Sequence, residues 1–434
     1  MDEERAAQTP SESPALDESP SVPAEPAEPT LPPLLLAEPE PNVIVDLDGL
    51  AAFGRALAAG TGPVALDAER ASGYRYSQRA YLIQIRRSGA GTALIDPIAI
   101  QQAQRRGDAA DLGALDAAIG DAEWILHAAS QDLPCLAEVG MRPRQLFDTE
   151  LAGRLLGRDR VSLAALVGSE LGLHLAKGHG AADWSLRPLS AAQVHYAALD
   201  VEALAELRSI LAAELHERDR WTWAEQEFAA LLDFHPKARS ADAWRRTSGI
   251  HRLRKPRQLA IVRALWIARD AAAAAADIAP GRILPDAAII AAAHAMPANE
   301  EALAGIDGFS GRGQRRRAPQ WMSAIRAAQE LTDEECPPVN PPHDGPPQPR
   351  VWAERNPPAA RRLVAVRSAM EQLSTQLGVA TEVLISPSAL REVCWEPPGN
   401  GTLAAALGER GARPWQIALV EPHIAPAFDH QAES

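Results

Sequence analysis

Short apolar runs in the first half of the chain alternate with polar positions and predict β-strands near residues 63–68, 81–86, 92–95 and 124–127. The first three runs lie close together, as in an antiparallel meander, and the later ones alternate with segments of helical periodicity. We therefore expect a mixed α/β domain. Because side chains alternate across a strand, residues two positions apart in these runs share one face.

Helical periodicity dominates the second half of the chain. Apolar residues recur at helical spacing throughout 237–330, where proline and glycine separate several predicted helices. A proline-rich segment, 333–349, predicts an extended, semi-rigid linker. Beyond it, apolar residues step at helical spacing toward Gly378, a predicted C-terminal cap: Leu363, Val366, Met370, Leu373 and Leu377. The pattern predicts two all-α domains in series after the α/β domain.

Acidic residues interrupt the apolar pattern at two strand ends. Asp67 and Glu69 follow an apolar run and, being two positions apart, project from one face of the predicted strand. Asp132 lies where the apolar run 124–126 turns into a predicted helix. Burying ionised carboxylates without compensation costs roughly several kcal/mol each. A hard cation is the natural compensation.

A third acidic motif lies on a predicted helix. Ser190 and Gln193 have the spacing of a capping box at its start, and Tyr196 and Asp200, four residues apart, share one face. Two divalent ions about 3.5–4 Å apart need several hard oxygen ligands to activate water and cleave a phosphodiester, and four carboxylates suit that task. A tyrosine with a pKa near about 10 stays protonated and would orient the attacking water.

Each motif alone has an ordinary explanation. An Asp-x-Glu pair is common on exposed strands, Asp132 could cap a helix, and Tyr196 with Asp200 could lie on a solvated helix face. Their occurrence in order favours two-metal catalysis over a degraded site. Asp148, ahead of a predicted helix, is better explained as a cap than as a fifth ligand. His127, at a strand end, is expected to be packed or hydrogen-bonded rather than a general base.

Together the motifs resemble ribonuclease D, of the tyrosine-bearing DEDD family of 3′–5′ exonucleases. Further matches are Phe-Asp-Thr at 147–149 and Asp-Trp-Ser-Leu-Arg-Pro-Leu at 183–189, so that the resemblance covers about 42–225. Ala68 stands where the family often has Thr, on a side chain that points away from the metals. The resemblance implies an RNase H-like α/β domain with five catalytic residues, Asp67, Glu69, Asp132, Tyr196 and Asp200.

The same resemblance implies the reaction. Two Mg²⁺ or Mn²⁺ ions would be bound by the four carboxylates, Asp67, Glu69, Asp132 and Asp200. Nucleoside 5′-monophosphates would be released from RNA with a free 3′ end, tRNA precursors in particular. Two alternatives stay open. A DNA 3′–5′ exonuclease would share these residues, because no site for a 2′-hydroxyl is visible. A nucleic-acid-binding protein with a silent active site is the second.

The helical regions carry further resemblances. Region 237–330 resembles the HRDC domain shared by RecQ-type helicases and ribonuclease D, through Trp244, Leu253, residues 256–259, Trp266 and residues 283–286. Region 350–424 is similar to the domain that follows HRDC in actinobacterial ribonuclease D proteins, a second helical unit of HRDC-like character. We assign the exonuclease domain to 42–225 and expect no structure after about residue 424.

Basic residues are concentrated after the exonuclease domain. Region 237–330 holds sixteen Lys or Arg and eight Asp or Glu, a net charge of +8. We predict phosphate contacts here, with a solvated basic face as the alternative, from Arg252, Arg254, Lys255, Arg257, Arg315, Arg316 and Arg317. Lys177, in a glycine-rich segment, and Arg187 could also reach a substrate phosphate or be ordinary solvated residues. Removing 237–434 should then weaken RNA binding yet spare hydrolysis of short oligonucleotides.

The net charge of −14 argues against a nucleic-acid enzyme until its distribution is considered. Residues 1–41 hold ten acids, one base and ten of the 36 prolines, which predicts a disordered acidic tail. The rest of the chain carries only about −5. Three widely spaced cysteines favour a protein of the reducing cytoplasm, and the lack of a run of about 20 apolar residues argues against a membrane span. We expect a monomer.

Overall fold

The computed structural model describes residues 31–176, 178–236, 238–340, 345–399 and 401–429. The strands all belong to the first of three domains: β1 (Val43–Ile44), β2 (Thr61–Arg70), β3 (Ala80–Ser88), β4 (Gly91–Ile95), β5 (Trp124–Leu126) and β6 (Leu146–Asp148). They form one sheet in the order β1-β4-β3-β2-β5-β6. The four predicted strands are confirmed, whereas the two- and three-residue strands β1 and β6 are too short to show periodicity.

The sheet register explains why the acidic motifs meet. β2, β3 and β4 form the expected antiparallel meander, and β5 runs parallel to β2, with Ala65 paired to Ile125. Asp67 lies two residues beyond that pair, level with the end of β5. The segment leading to Asp132 therefore begins beside Asp67, at the same edge of the sheet.

Helices cover the sheet and continue into the other domains. Those of the first domain are α1 (Leu47–Ala59), α2 (Pro97–Ala103), α3 (Gly113–Ile119), α4 (Leu133–Glu138), α5 (Thr149–Leu155), α6 (Leu163–Leu171), α7 (Ala191–Glu202), α8 (Leu204–Glu217) and α9 (Trp221–Leu232). The predicted capping box of Ser190 and Gln193 is present at the start of α7. A new helix, α8, begins at Leu204, so α7 ends two residues after Asp200.

The second and third domains are all-α, as predicted. The second consists of α10 (Pro256–Ala276), α11 (Pro280–Ile283), α12 (Asp286–Ala295), α13 (Glu300–Ala304) and α14 (Arg312–Glu330). The third consists of α15 (Trp352–Arg355), α16 (Pro357–Leu377), α17 (Thr381–Leu384), α18 (Pro387–Trp395), α19 (Leu403–Glu409), α20 (Pro414–Ile424) and α21 (Pro426–Asp429). Gly378 caps α16 at φ 61°, as expected. The expectation of no structure after residue 424 is wrong, because α21 follows and Phe428 packs against the core.

The third domain shares a hydrophobic core with the first, whereas the second has a core of its own. The shared core runs from Phe147 and Phe228 to Val366 and Trp415 without interruption. At the junction Trp223 stacks on Trp415, with ring centroids 4.8 Å apart. The second domain instead packs around Trp244, Trp321 and their neighbours.

Two glycines and one arginine close the junction between the first and third domains. A Cβ at Gly157 would stand 1.7 Å from the carbonyl oxygen of Gly378, so the two backbones approach as only glycine permits. Arg220 donates to the carbonyl oxygens of Leu155 at 2.7 Å and Leu377 at 2.5 Å, one on each side. These contacts fix the third domain against the end of α5.

The prediction of disorder is wrong for residues 31–41. Residues 31–41 are ordered against the first domain: Leu34 is buried in the shared core, and its N–H donates to the carbonyl oxygen of His174 at 2.9 Å. The N–H of His174 returns a bond to Pro32. The burial of Leu34 and the partial burial of Leu36 account for the order of this segment, although its composition is acidic and rich in proline. The earlier part of the predicted tail, residues 1–30, lies outside the described residues. Within the described part of the chain, no helix is long and apolar enough to cross a membrane.

Candidate active site

Three carboxylates from two elements meet at the edge of the sheet. Asp67 and Glu69 project from one face of β2, and α7 packs across β2, β3 and β4, which brings Asp200 over them. Carboxylate oxygens of all three residues lie within 4.8 Å of one another. Glu69 and Asp200 are each only 8% exposed, so their charges lie in a region of low dielectric.

Asp132 adds a fourth carboxylate to the same cleft. It occupies the N-cap position of α4, but its side chain accepts no capping hydrogen bond from that helix. It is 5% exposed and faces the cleft with Asp67, Glu69 and Asp200. The ordinary explanation of Asp132 as a helix cap is therefore not what the structure shows, since its oxygens are left for another partner.

Asp148 positions the segment that carries Asp132. Its carboxylate accepts the N–H groups of Ala128 at 3.1 Å and Ala129 at 2.8 Å, and it caps α5 by accepting those of Glu150 at 2.8 Å and Leu151 at 3.1 Å. The capping interpretation is confirmed. The additional bonds to residues 128 and 129, which lie 20 and 19 positions away, have no signal in the local sequence.

Tyr196 lines the same cleft as the four carboxylates, a cavity of about 640 Å³. The wall on its side is formed by residues 175–182 of the described chain, and its ring lies edge-on to His179, with centroids 5.6 Å apart. Burial raises the pKa of Tyr196, and the negative charges of Asp200, Glu69 and Asp67 raise it further. The phenol therefore stays protonated and can both donate and accept a hydrogen bond.

The electrostatics of the cleft favour a bound cation. Burial raises the pKa of all four carboxyl groups, and the charge of Asp67 raises those of Glu69, Asp132 and Asp200 further. The positive charge of Arg70 acts to lower the pKa of Asp67, Glu69 and Asp132, but it does not cancel the increase. The Arg70 guanidinium also donates to Oε1 of Gln131 at 3.4 Å. Buried, mutually repelling hard oxygen donors fit a divalent cation, which would supply the missing positive charge.

Arg187 and His127 have structural roles. The Arg187 guanidinium is occupied by the Asp96 carboxylate and by the carbonyl oxygens of Tyr81 at 2.6 Å and Trp184 at 2.7 Å. The structure gives Arg187 a structural role in place of the predicted phosphate contact, because the side chain holds its own loop against β3 and Asp96. His127 is hydrogen-bonded, as expected: Nδ1 lies 2.9 Å from Oγ1 of Thr149, and burial lowers its pKa to about 4. Lys177 lies outside the described residues.

The basic residues of the second domain divide into two groups. Arg257 donates to the carbonyl oxygen of Gln329 at 3.3 Å and to Asp333 at 2.8 Å, so it joins the ends of α10 and α14. Its predicted phosphate contact is thus corrected to a structural one. The second group lies at the surface. Five of its side chains are exposed, Arg252, Arg254, Lys255, Arg315 and Arg316, and Arg317 is half-buried.

Sequence reasoning missed part of the cleft wall. Ser72 and Gly73, in the connection between β2 and β3, line the cleft, as do Arg70 and Gln131. Arg70 could have been noticed because it follows the first motif directly. Ser72 and Gly73 carry no such signal, since a small polar residue and a glycine are ordinary in any loop.

Protein-family models match each of the three domains. Residues 41–216 match the 3′-5′ exonuclease family, 258–325 the HRDC domain, and 345–428 the 3′ to 5′ exonuclease C-terminal domain. The third domain thus matches a model of its own. Fold and site together define a 3′–5′ exonuclease with an HRDC domain, which confirms the predicted domain types.

Relatives make the assignment more specific. The chain is 33% identical to ribonuclease D of Acidiphilium cryptum over 79% of its own length and 85% of that protein. It is 34% identical to ribonuclease D of Gluconacetobacter diazotrophicus over 56% of its length, a match that spans 63% of that relative, a little under two thirds. The chain belongs to the ribonuclease D family, as its motifs predicted, and is a 3′–5′ exoribonuclease.

Solved structures agree in fold. A protein from Bifidobacterium adolescentis is 39% identical, with a TM-score of 0.83 over 92% of this chain and 100% of that one. Escherichia coli RNase D, described as an exoribonuclease involved in structured RNA processing, is 24% identical, with a TM-score of 0.64 over 90% of this chain and 99% of that one. The mixed-sheet domain followed by helical domains is therefore shared with this family.

Proposed function

We propose that this protein removes nucleoside 5′-monophosphates stepwise from RNA 3′ ends, using two divalent metal ions, Mg²⁺ or Mn²⁺. The observation that carries the proposal is the convergence of four carboxylates, three buried and Asp67 half-buried, from β2, α7 and the start of α4 on one cleft beside a protonated phenol. Such a set has little structural value, since it lowers stability without a cation. It suits phosphodiester hydrolysis.

The carboxylates have distinct roles in this proposal. Bound there, two divalent ions would activate a water and stabilise charge on the attacking and leaving oxygens at phosphorus. Asp67, whose charge acts on all three other carboxylates, would contribute to the binding of both ions. Glu69 and Asp200, within 4.8 Å of Asp67, would complete the first ion's ligands, and Asp132 would support the second.

Tyr196 would orient the attacking water through its hydroxyl. Replacing Tyr196 with Phe keeps the ring against His179 and Trp184 and removes only the oxygen. We expect kcat to fall by roughly 10²-fold, a typical loss for a positioned proton-transfer or orienting group, with little change in the affinity for RNA. Single-turnover rates on a 5′-labelled oligoribonucleotide measure this. A kcat within twofold of wild type would remove Tyr196 from the mechanism.

The proposed substrate class is RNA with a free 3′ end, tRNA precursors in particular. The relatives named above are ribonuclease D proteins, and the Escherichia coli structure is described as acting in structured RNA processing. The test is a comparison of 5′-labelled RNA and DNA of one sequence in Mg²⁺, in Mn²⁺ and in chelator. A metal-dependent ladder that shortens from the 3′ end on RNA supports the proposal. A ladder on DNA alone would replace it with a DNA exonuclease, and uncut label would leave a binding protein.

The exposed basic residues of the second domain would guide the RNA. Arg252 lies at a groove of about 570 Å³ whose rim also carries His251 and His294 and whose floor includes Ile290. The carboxylate in this groove, Asp286, is already paired with Arg269 at 2.6 Å, so it does not repel a phosphate strongly. A guanidinium beside apolar side chains fits a nucleotide of a single strand, with Arg252 at its phosphate and Ile290 near its base.

Neutralising Arg252 together with its exposed neighbours Arg254 and Lys255 should weaken RNA binding in a salt-dependent way. In the variant R252Q/R254Q/K255Q, the slope of log K against log salt should become shallower by about 2, since each lost phosphate contact removes about 0.7. Titrations of labelled RNA without metal, at several salt concentrations, measure it. The matched control is R355Q/R361Q/R367Q in the third domain, which removes three exposed charges elsewhere. Equal slopes in the two variants would contradict the proposed track.

A further inference from the structure

The connection between β2 and β3, residues 71–79, forms one wall of the active-site cleft. It begins directly after the first acidic motif, and Ser72 and Gly73 line the cleft. We call it the docking loop, because Tyr74, Tyr76 and Ser77 contact the second domain. A loop in this position can move the cleft wall without altering any of the four carboxylates.

The first anchor of the docking loop is the end of α10. Asp277 ends that helix at φ 46°, and its Oδ1 accepts the N–H of Ser77 at 2.8 Å. Its Oδ2 accepts the hydroxyl of Tyr81, on β3, at 3.4 Å. Two residues on, the N–H of Ala279 donates to the carbonyl oxygen of Tyr74 at 2.9 Å. One helix end thus binds the backbone of the loop at two points.

The second anchor joins loop side chains to α10 and α11. The Tyr76 hydroxyl donates to Asp270 at 3.0 Å, and Tyr76 packs against the core of the second domain. Arg282 donates from Nε to the carbonyl oxygen of Gly73 at 2.9 Å, and its guanidinium lies 4.1 Å from the ring centroid of Tyr74. The residue held by Arg282 is therefore one that lines the cleft.

The docking loop also contacts the surroundings of Tyr196, the catalytic tyrosine of α7. Arg75 donates to Oγ of Ser185 at 2.8 Å, in the segment that precedes α7. Tyr74 packs beside Trp184 and Tyr196 in one small apolar cluster. The loop therefore lies between the second domain and the environment of the catalytic tyrosine, and a shift at one side reaches the other through direct contacts.

We propose that the second domain is a positioning element of the exonuclease, in addition to its contact with RNA: Asp277, Asp270 and Arg282 hold the docking loop in the conformation that shapes the cleft. The inference rests on the proposed hydrolysis at that cleft. It reverses the expectation drawn from sequence that removing 237–434 would spare short oligonucleotides. Without the anchors the loop samples other conformations, and the fraction of molecules with a formed cleft falls.

The test compares D277G with D277N. Glycine adopts the positive φ without strain but lacks the acceptor, whereas asparagine tolerates that φ and keeps an oxygen for the Ser77 N–H. On an oligoribonucleotide of about four nucleotides, kcat of D277G should fall about tenfold, since a displacement of about 1 Å in a catalytic site can cost about 10²-fold. D277N should stay within about twofold of wild type. Affinity for long RNA in chelator should be equal in both.

Hydrogen exchange supplies a readout that does not depend on activity. The Ser77 amide should exchange faster in D277G than in wild type or D277N, because its acceptor is gone. D307N, which removes an exposed charge from the same domain, should leave both exchange and kcat unchanged. If D277G melts at a lower temperature than wild type, Y76F replaces it in the test. This variant deletes only the hydroxyl bonded to Asp270, and its kcat should also fall about tenfold.

The outcomes separate this inference from the proposed function. Wild-type kcat in D277G, or in Y76F where D277G is unstable, would overturn the positioning role while leaving the exonuclease intact. Equal loss in D277G and D277N would overturn it too, since the hydrogen bond would then not be what matters. If wild-type protein cleaves no RNA in Mg²⁺ or Mn²⁺, the proposed function itself fails.

Discussion

Replacing Asp67 with Asn is expected to lower exonuclease activity by about 10³-fold or more, because the residue would be shared between both metal ions and its charge is central to their binding. The measurement is the rate of 3′ shortening of a 5′-labelled RNA in saturating Mg²⁺. RNA affinity in chelator should stay within about twofold of wild type. Residual turnover near the wild-type rate would refute the assignment of the site.

The same variant should be more stable than wild type when no metal is present. Asp67 raises the pKa of Glu69, Asp132 and Asp200, which means that its negative charge repels theirs in the folded state. Asparagine removes that repulsion with little change in shape. In chelator at neutral pH, D67N should therefore melt at a higher temperature, and added Mg²⁺ should stabilise it less than wild type. A lower melting temperature in chelator would show that the Asp67 carboxylate is satisfied without metal.

Replacing Asp148 with Ala is expected to cost about 3–5 kcal/mol of unfolding free energy, because several buried N–H groups lose their acceptor at once. The carboxylate accepts from Ala128, Ala129, Glu150 and Leu151. Activity per folded molecule should fall as well, since the segment that leads to Asp132 is no longer tied to α5. Urea unfolding, followed by rate measurements on the folded fraction, checks both effects.

Two matched variants show whether the position or the residue type matters. Asp46 also caps a helix, but it is exposed and accepts from Gly49 alone, so Asp46→Ala should cost only about 1 kcal/mol. Asp148→Asn keeps Oδ1 as acceptor for three of the amides and places an NH₂ group against Ala129, which predicts an intermediate loss. Equal losses for Asp148→Ala and Asp46→Ala would reduce Asp148 to an ordinary cap.

Local patterns in the sequence predicted much of this fold and most of the cleft. The strand around Asp67, the capping box before Tyr196 and the helix ending at Gly378 are each specified by residues within a few positions of one another. The acidic motifs could be assigned to one site because the resemblance covers them in order. What these features share is that periodicity and capping are short-range effects.

Long-range bonds were not visible in the sequence. Arg187 was a candidate phosphate ligand because nothing near it shows that Asp96, 91 positions earlier, takes up its guanidinium. Leu34 was assigned to a disordered tail because its bond to His174 and its burial depend on the folded domain. The docking loop reaches Asp277 across 200 positions. In each case the deciding partner is remote, and neither propensity nor composition encodes it.

The shared core of the first and third domains has a consequence for synthesis of the chain. The face of α9 that carries Trp223 is covered by Trp415, and Phe147 and Phe228 belong to the same core as Val420 and Ile424. On the ribosome, the exonuclease domain emerges more than one hundred residues before the helices that complete its core. The HRDC domain can fold during that interval. Until the helices of the third domain emerge, the nuclease domain exposes the apolar face that they cover in the finished protein.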